Sequence, residues 1–226
     1  MKKFSLLFLF SLLFWAGKSQ DFSHIALDNR IYTDDIYSVK LCPADKYFGT
    51  PIIKLNSGEQ LRLVFDHLGD YDEYMKYTLI HCSHDWQLSP MNPLEYLDGF
   101  MEDEITDNSY SFNTITGYTH FELLLPNDLL RITKSGNYIL FVYDETPENP
   151  ILTQRFMVVE STTAGIVGTV QQAQDVNYMS THQQVDFLAY TGNYNVRNPS
   201  MLLNATILQN GRWDNAIIGL KFRSAN

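Results

Sequence analysis

The stretch EQLRLVFDHL, residues 59–68, alternates Leu61, Leu63 and Phe65 with Arg62, Val64 and Asp66. A period of two puts each set on its own face, the pattern of a half-buried β-strand. Working outward, DDIYSVKLC (34–42) sets Ile36 and Val39 among β-formers and reads as a second such strand. Between them, Pro43, Gly49, Pro51 and Gly58 turn the chain twice around a short strand at 52–55. Downstream, an acidic turn at 69–73 leads to a strand at 74–82. Further strands are expected at 110–116 and 118–125, with Gly117 between them, then at 138–145 and 151–159. In the strand from 138, Tyr138, Leu140 and Val142 share one face. About eight closely spaced short strands predict an all-β fold, an antiparallel β-sandwich over 20–160.

A second β-domain is expected from residue 161, with strands near 165–170, 184–190 and 202–209. Residues 161–226 are few for an independent core, and the final KFRSAN supplies no closing strand, so this domain is expected to be incomplete.

The first residues precede the fold. MKKFSLLFLFSLLFWAGKSQ has Lys2 and Lys3, an apolar run over 4–16 and small residues at Gly17 and Ser19, the layout of a secretory signal peptide cleaved after Ser19. Its apolar run falls short of a spanning helix, and no later window approaches one, so the mature chain is expected to be exported and soluble. The 226 residues are 45% hydrophobic, 14% aromatic and 19% charged, a composition that folds. Loss of Lys2, Lys3 and Lys18 would take the net charge from −10 to −13. Such acidity excludes a simple electrostatic grip on nucleic acid or anionic lipid. Cys42 and Cys82 allow either one disulfide or two buried thiols.

Motifs for chemistry are sparse. His81, Cys82, Ser83, His84 and Asp85 include zinc-type ligands, but strand geometry splits His81 and Ser83 from Cys82 and His84. Neither a nucleophile elbow nor a phosphate-binding loop occurs. Glu102, Asp103, Glu104 and Asp107 read as a solvated acidic turn, lacking calcium-loop spacing. Asn204-Ala205-Thr206 matches a glycosylation acceptor formally and reads as strand interior. No catalytic residue, metal, cofactor or small-molecule substrate is expected. HDWQLSPMNPLEYLDGF (84–100) is apolar yet broken by Pro90 and Pro93, so it reads as a packed excursion with one helical turn from Pro93, capped by Asn92. The many aromatic residues serve core packing and a partner surface, for which Trp86, Leu88, Met91, Tyr96, Leu97 and Phe100 are the candidates.

Several long runs carry a resemblance. SVKLCP (38–43), PIIKLNSGEQLRL (51–63), LIHCSHDWQLSPMNPLEYLDGF (79–100), YTHFELLLPN (118–127), TKSGNYILFVY (133–143), LTQRFMVVE (152–160) and ILQNGRWDNAI (207–217) resemble the N-terminal part of the type IX secretion system plug protein family of Bacteroidetes. The resemblance implies a non-enzymatic periplasmic accessory that covers the periplasmic opening of a large outer-membrane β-barrel translocon, acting sterically. An exported carbohydrate-binding sandwich with aromatic platforms is the alternative. Limited proteolysis of the purified chain is expected to cut near Ser161 and leave a resistant core before it. Equal resistance of 161–226 would overturn the expectation of an incomplete second domain.

Overall fold

The structure, a computed structural model, describes residues 22, 24–69, 75–160 and 164–220. The expected leader, most of the acidic turn at 69–73, the start of the expected second domain at 161–163 and the C-terminal 221–226 lie outside them. In chain order the strands begin with β1 (Arg30–Ile31), β2 (Ile36–Pro43), β3 (Ile52–Lys54), β4 (Leu61–Leu68) and β5 (Met75–Cys82). A single helical turn, α1 (Pro93–Tyr96), leads into β6 (Leu97–Gly99), β7 (Glu102–Ile105) and β8 (Asp107–Tyr110). Then come β9 (Tyr118–Leu125), β10 (Leu130–Ile132), β11 (Gly136–Asp144) and β12 (Pro150–Val159). Beyond these lie β13 (Gly165–Gln172), β14 (Gln183–Tyr190), the short α2 (Pro199–Leu202), β15 (Ile207–Gln209) and β16 (Arg212–Ile217).

The architecture is all-β and sandwich-like. One sheet runs β1-β12-β11-β5-β7, with β3 added parallel to the far half of β12. The second runs β2-β4-β9-β8 and is antiparallel throughout. Between them lies the main core, and the alternation read from 59–68 is what fills it: Leu61, Leu63 and Phe65 are fully buried. Phe65 stacks on Phe121 of β9 at 5.1 Å, while Tyr77, Leu79, Tyr138, Leu140 and Val142 face them from the other sheet. Alternate residues of β11 point the other way, and they too are dry: Ile139, Phe141 and Tyr143 have no exposed surface. A third layer therefore covers the back of this sheet. It consists of Phe22, Ile25, Leu27 and Tyr32 from the N-terminal segment, with Trp86 and Trp213.

Backbone chemistry ties that segment down. Thr153 Oγ1 donates to the Asp28 carbonyl (2.8 Å), the Arg155 amide donates to Asn29 Oδ1 (2.7 Å), and the Arg155 Nε and Nη2 groups donate to the Leu27 carbonyl at 2.8 and 2.6 Å. A buried hydroxyl and a half-buried guanidinium on β12 thus find acceptors that a bare apolar covering would not offer.

Several expectations need correction. The acidic stretch 102–107 is not a solvated turn: most of it forms β7 and the start of β8, crossing from one sheet to the other. Ile105 is buried, and the carboxylates serve as acceptors, Glu102 for the Tyr143 hydroxyl (2.6 Å) and Asp103 for the Tyr77 hydroxyl (3.2 Å). A buried phenol needs a partner, and an edge strand of acids supplies it while keeping its outer side wet. The expected strand at 110–116 shrinks to Tyr110, the remainder being the turn into β9. Near the C-terminal end, α2 occupies the start of the expected 202–209 strand, so Asn204 precedes β15 and is not strand interior. The β13–β14 hairpin pairs in full register and stays exposed, including Ile166, Val170 and Val185.

Burial raises the pKa of Tyr77, Tyr138 and Tyr143, and the neighbouring carboxylates Asp103 and Glu102 add to this at Tyr77 and Tyr143. In the unfolded chain these phenols ionise near pH ~10. The stability they contribute is complete below that value and is lost as pH rises toward the higher folded values. Alkaline titration is expected to show these three tyrosines ionising only together with loss of the far-ultraviolet β signal; free ionisation with the fold intact would contradict the burial.

Candidate functional site

Where β5 ends, the chain folds back on itself through a hydrogen-bonded turn. The Ser83 amide donates to the Gln87 carbonyl (2.9 Å), the Trp86 amide to the Ser83 carbonyl (3.0 Å) and the Ser89 amide to the His81 carbonyl (3.1 Å). Trp86 takes a left-handed backbone, φ 61°, uncommon for a large residue. Its indole then lies on the back of the β1-β12-β11-β5-β7 sheet. Past the turn, Asn92 caps α1 as the sequence predicts. The Leu94 amide donates to Asn92 Oδ1 (3.0 Å) and the Asn92 amide to Glu95 Oε2 (2.7 Å), a reciprocal box. With Pro93 already at helical φ, this fixes where Tyr96 and Leu97 enter the core.

This path divides the six residues expected to form one partner surface. Trp86, Tyr96 and Leu97 are buried, at 6%, 3% and 3% exposure, and belong to the cores. Tyr96 packs beside His81 (5.5 Å) and Tyr138 (6.0 Å), and its hydroxyl donates to the Leu79 carbonyl. Met91 is half-buried against the same core. Only Leu88 and Phe100 face solvent, joined by Leu94 of α1. The correction has a plain cause: the prolines that break regular structure in 84–100 do not prevent burial, because local hydrogen bonds satisfy the irregular backbone.

The polar residues of 81–85 do not converge either. Partial burial lowers the pKa of His81, which sits edge-on to Tyr138 at 5.0 Å. Asp85 is held below the usual carboxylate range by the Ser83 hydroxyl. Burial pushes the Cys82 thiol up to about 12, well outside the range of a reactive thiolate. Cys42 and Cys82 are free and buried, on strands of different sheets; of the two arrangements open at the sequence level, the structure holds the unpaired thiols. Among the described residues no group of three or more His, Cys, Asp or Glu side chains could hold a metal ion.

What the structure does bring together is a cluster that sequence reading missed. The Arg155 guanidinium lies 4.4 Å from the Trp86 ring and 5.2 Å from the Trp213 ring, and the two indoles meet edge to face at 4.9 Å. Asn29, Thr50, Asn210 and Trp213 help line a neighbouring cavity of about 350 Å³. Burial lowers the Arg155 pKa, with Asp28 and Cys82 opposing that shift. Arg155 and Trp86 line that cavity too, and the Leu27 carbonyl orients the guanidinium so that it fastens the layers. The available signal was an arginine in the largely apolar β12 and a tryptophan just beyond the Asn210-Gly211 turn, residues with no reason to meet until the sheet order is known.

A family model for the first domain of the type 9 secretion system plug protein matches residues 36–160. The chain belongs to that family. The matched residues hold all of the sandwich except β1 and the segment around it. The chain is also similar to a crystal structure of a hypothetical protein from Parabacteroides merdae ATCC 43184, with a TM-score of 0.84 and 32% identity, covering 89% of this chain and 51% of the other. It thus spans about half the length of that relative. Among curated proteins none matches the sequence.

Replacing Arg155 by Ala removes two charge-assisted hydrogen bonds and two cation–π contacts and leaves the Leu27 carbonyl without its donors. Urea denaturation is expected to show a loss of about 2–4 kcal/mol. A loss under about 0.5 kcal/mol, the level of an ordinary surface change, would contradict the fastening role.

Proposed function

We propose that the chain is a non-enzymatic periplasmic accessory of type IX secretion that binds a large outer-membrane β-barrel translocon and occludes its periplasmic opening. The observation that carries this reading is the family match over the whole sandwich core. Physical features support it. Closing a pore sterically asks for a rigid body, and two sheets with a dry interface plus a fastened third layer give one. No described helix is long and apolar enough to cross a membrane, and the chain is acidic, so attachment through a protein partner suits it better than attachment to anionic lipid. The buried Cys82 thiol, its pKa pushed up to about 12, fits a role without thiolate chemistry.

The carbohydrate-binding alternative asks for exposed ring faces free to stack on sugars. Tyr47 and Phe48 are the prominent exposed pair, but the Lys40 ammonium lies 4.0 Å from the Phe48 centroid and 5.5 Å from Tyr47, with Arg62 5.6 Å from Tyr47. Cations already occupy positions at those rings, which favours the plug reading.

Affinity purification of the tagged mature chain from detergent-solubilised envelopes, followed by mass spectrometry, is expected to recover the outer-membrane barrel. A folded sample that recovers no barrel would sink the proposal.

A further inference from the structure

The turn between β8 and β9 holds two apolar side chains in full contact with water. Phe112 is 93% exposed and Ile115 108%, the latter more than in an extended reference chain. Isolated exposed hydrophobes are ordinary on protein surfaces, but these two share one tight turn. The turn is also internally fixed. Thr114 Oγ1 bonds to Ser111 Oγ (3.0 Å) and to the Thr116 carbonyl (2.8 Å), and the Tyr118 amide donates to Ser111 Oγ (2.9 Å). Asn113 takes the left-handed backbone, φ 59°, that such turns require. At its base the Gly69 amide donates to the Gly117 carbonyl (2.8 Å), pinning the turn to the end of β4. Two hydroxyls and two backbone amides thus hold a short apolar projection whose side chains make no core.

Its surroundings say what it fits. The Leu68 amide next to the pinning point donates to the Asp35 carbonyl, and Asp35, paired with His67 at 2.8 Å, shares a cavity of about 440 Å³ with Asp144 and Glu148. Asp34 and Glu145 flank these acids in sequence, so this end of the sandwich is acidic. From residue 77 to residue 130 the chain contains no Lys or Arg. A tip that enters a bilayer is usually framed by basic residues that meet lipid phosphates, and here the frame carries the opposite sign.

We propose that the β8–β9 turn is a docking finger, with Phe112 and Ile115 the anchors that enter an apolar socket on a partner protein whose rim is basic. The finger does not depend on Leu88, Leu94 or Phe100, which the fold places elsewhere. A rigid, prepaid conformation lowers the ordering cost of binding, and an aromatic anchor in a desolvated pocket is where interface energy concentrates. Naming the partner as the translocon barrel rests on the plug reading; the finger itself rests on the geometry.

The test places a photo-crosslinking phenylalanine analogue at position 112, at 115, and at Phe48 as an exposed aromatic control, in the full chain expressed in its native cells. Crosslinks to the barrel from 112 and 115, absent from 48, are expected. The paired substitution Phe112→Ser with Ile115→Ser should then cut barrel recovery about tenfold or more, with the thermal unfolding midpoint unchanged. Crosslinks from 112 and 115 to a different protein would overturn the plug reading, and would uphold the finger only where the crosslinked site is an apolar socket with Lys or Arg at its rim; any other site would overturn the finger. Crosslinks to lipid, no specific crosslink, or undiminished barrel recovery by the doubly substituted chain would overturn the finger.

Discussion

From Tyr138 to Tyr143, six successive residues of β11 have no contact with solvent. A strand presents alternate residues to opposite faces, so apolar burial along every position requires a layer on each side. The β2-β4-β9-β8 sheet supplies one layer. Residues 22–32, Trp86 and Trp213 supply the other. Much of the remaining chemistry follows from that demand: β12 must carry polar groups to fasten the N-terminal segment, and β5 must end in a turn that can deliver an indole to the back. Arg155 is the point where these requirements meet, since it holds the Leu27 carbonyl and lies against both tryptophans.

The front of the sandwich was legible because its signal is local. Alternation in 59–68 and 118–125 marks β4 and β9 to within two residues, and the face shared by Tyr138, Leu140 and Val142 is the one that meets them. The cap on α1 could also be read, since Asn92, Pro93 and Glu95 act within one turn. What escaped is whatever depends on partners distant in sequence. The strand at 102–105 looks like a solvated loop until Tyr77 and Tyr143 are seen to need its carboxylates. Likewise, Trp86 looks like surface in a proline-broken segment until Trp213 and Arg155 arrive from far along the chain. Pattern reading assumes that irregular and polar segments stay wet, and here long-range hydrogen bonds remove that penalty.

The candidate site was legible in the same uneven way. The sequence predicts a body without a constellation for chemistry, and the structure explains the residues that tempted otherwise. His81 and Cys82 lie on opposite faces of β5, one beside Tyr96 and Tyr138 and the other in the rear layer. The half-buried imidazole and the buried thiol both serve packing. The aromatic wealth of the chain is divided between cores and turns: Phe65, Phe121, Tyr138 and Phe156 stack inside, while Phe112 and Phe48 stand in water on separate loops. Composition alone cannot make that division, because the same residue type serves both ends.

The rear layer also bears on how the molecule comes to be folded. The Arg155 contacts to Leu27 join residues 128 positions apart, and His24 reaches the Pro147 carbonyl across 123. Hairpins such as β11–β12 close over short loops, whereas the back of the sheet is sealed only when β12 and the Trp213 hairpin have both emerged and returned to the beginning. Contacts of such long range slow folding, since the entropy of closing the loop must be met before they contribute. A chain with its back layer open would present Ile139, Phe141 and Tyr143 as a flat apolar strip. That interval is when a chaperone would find its handle.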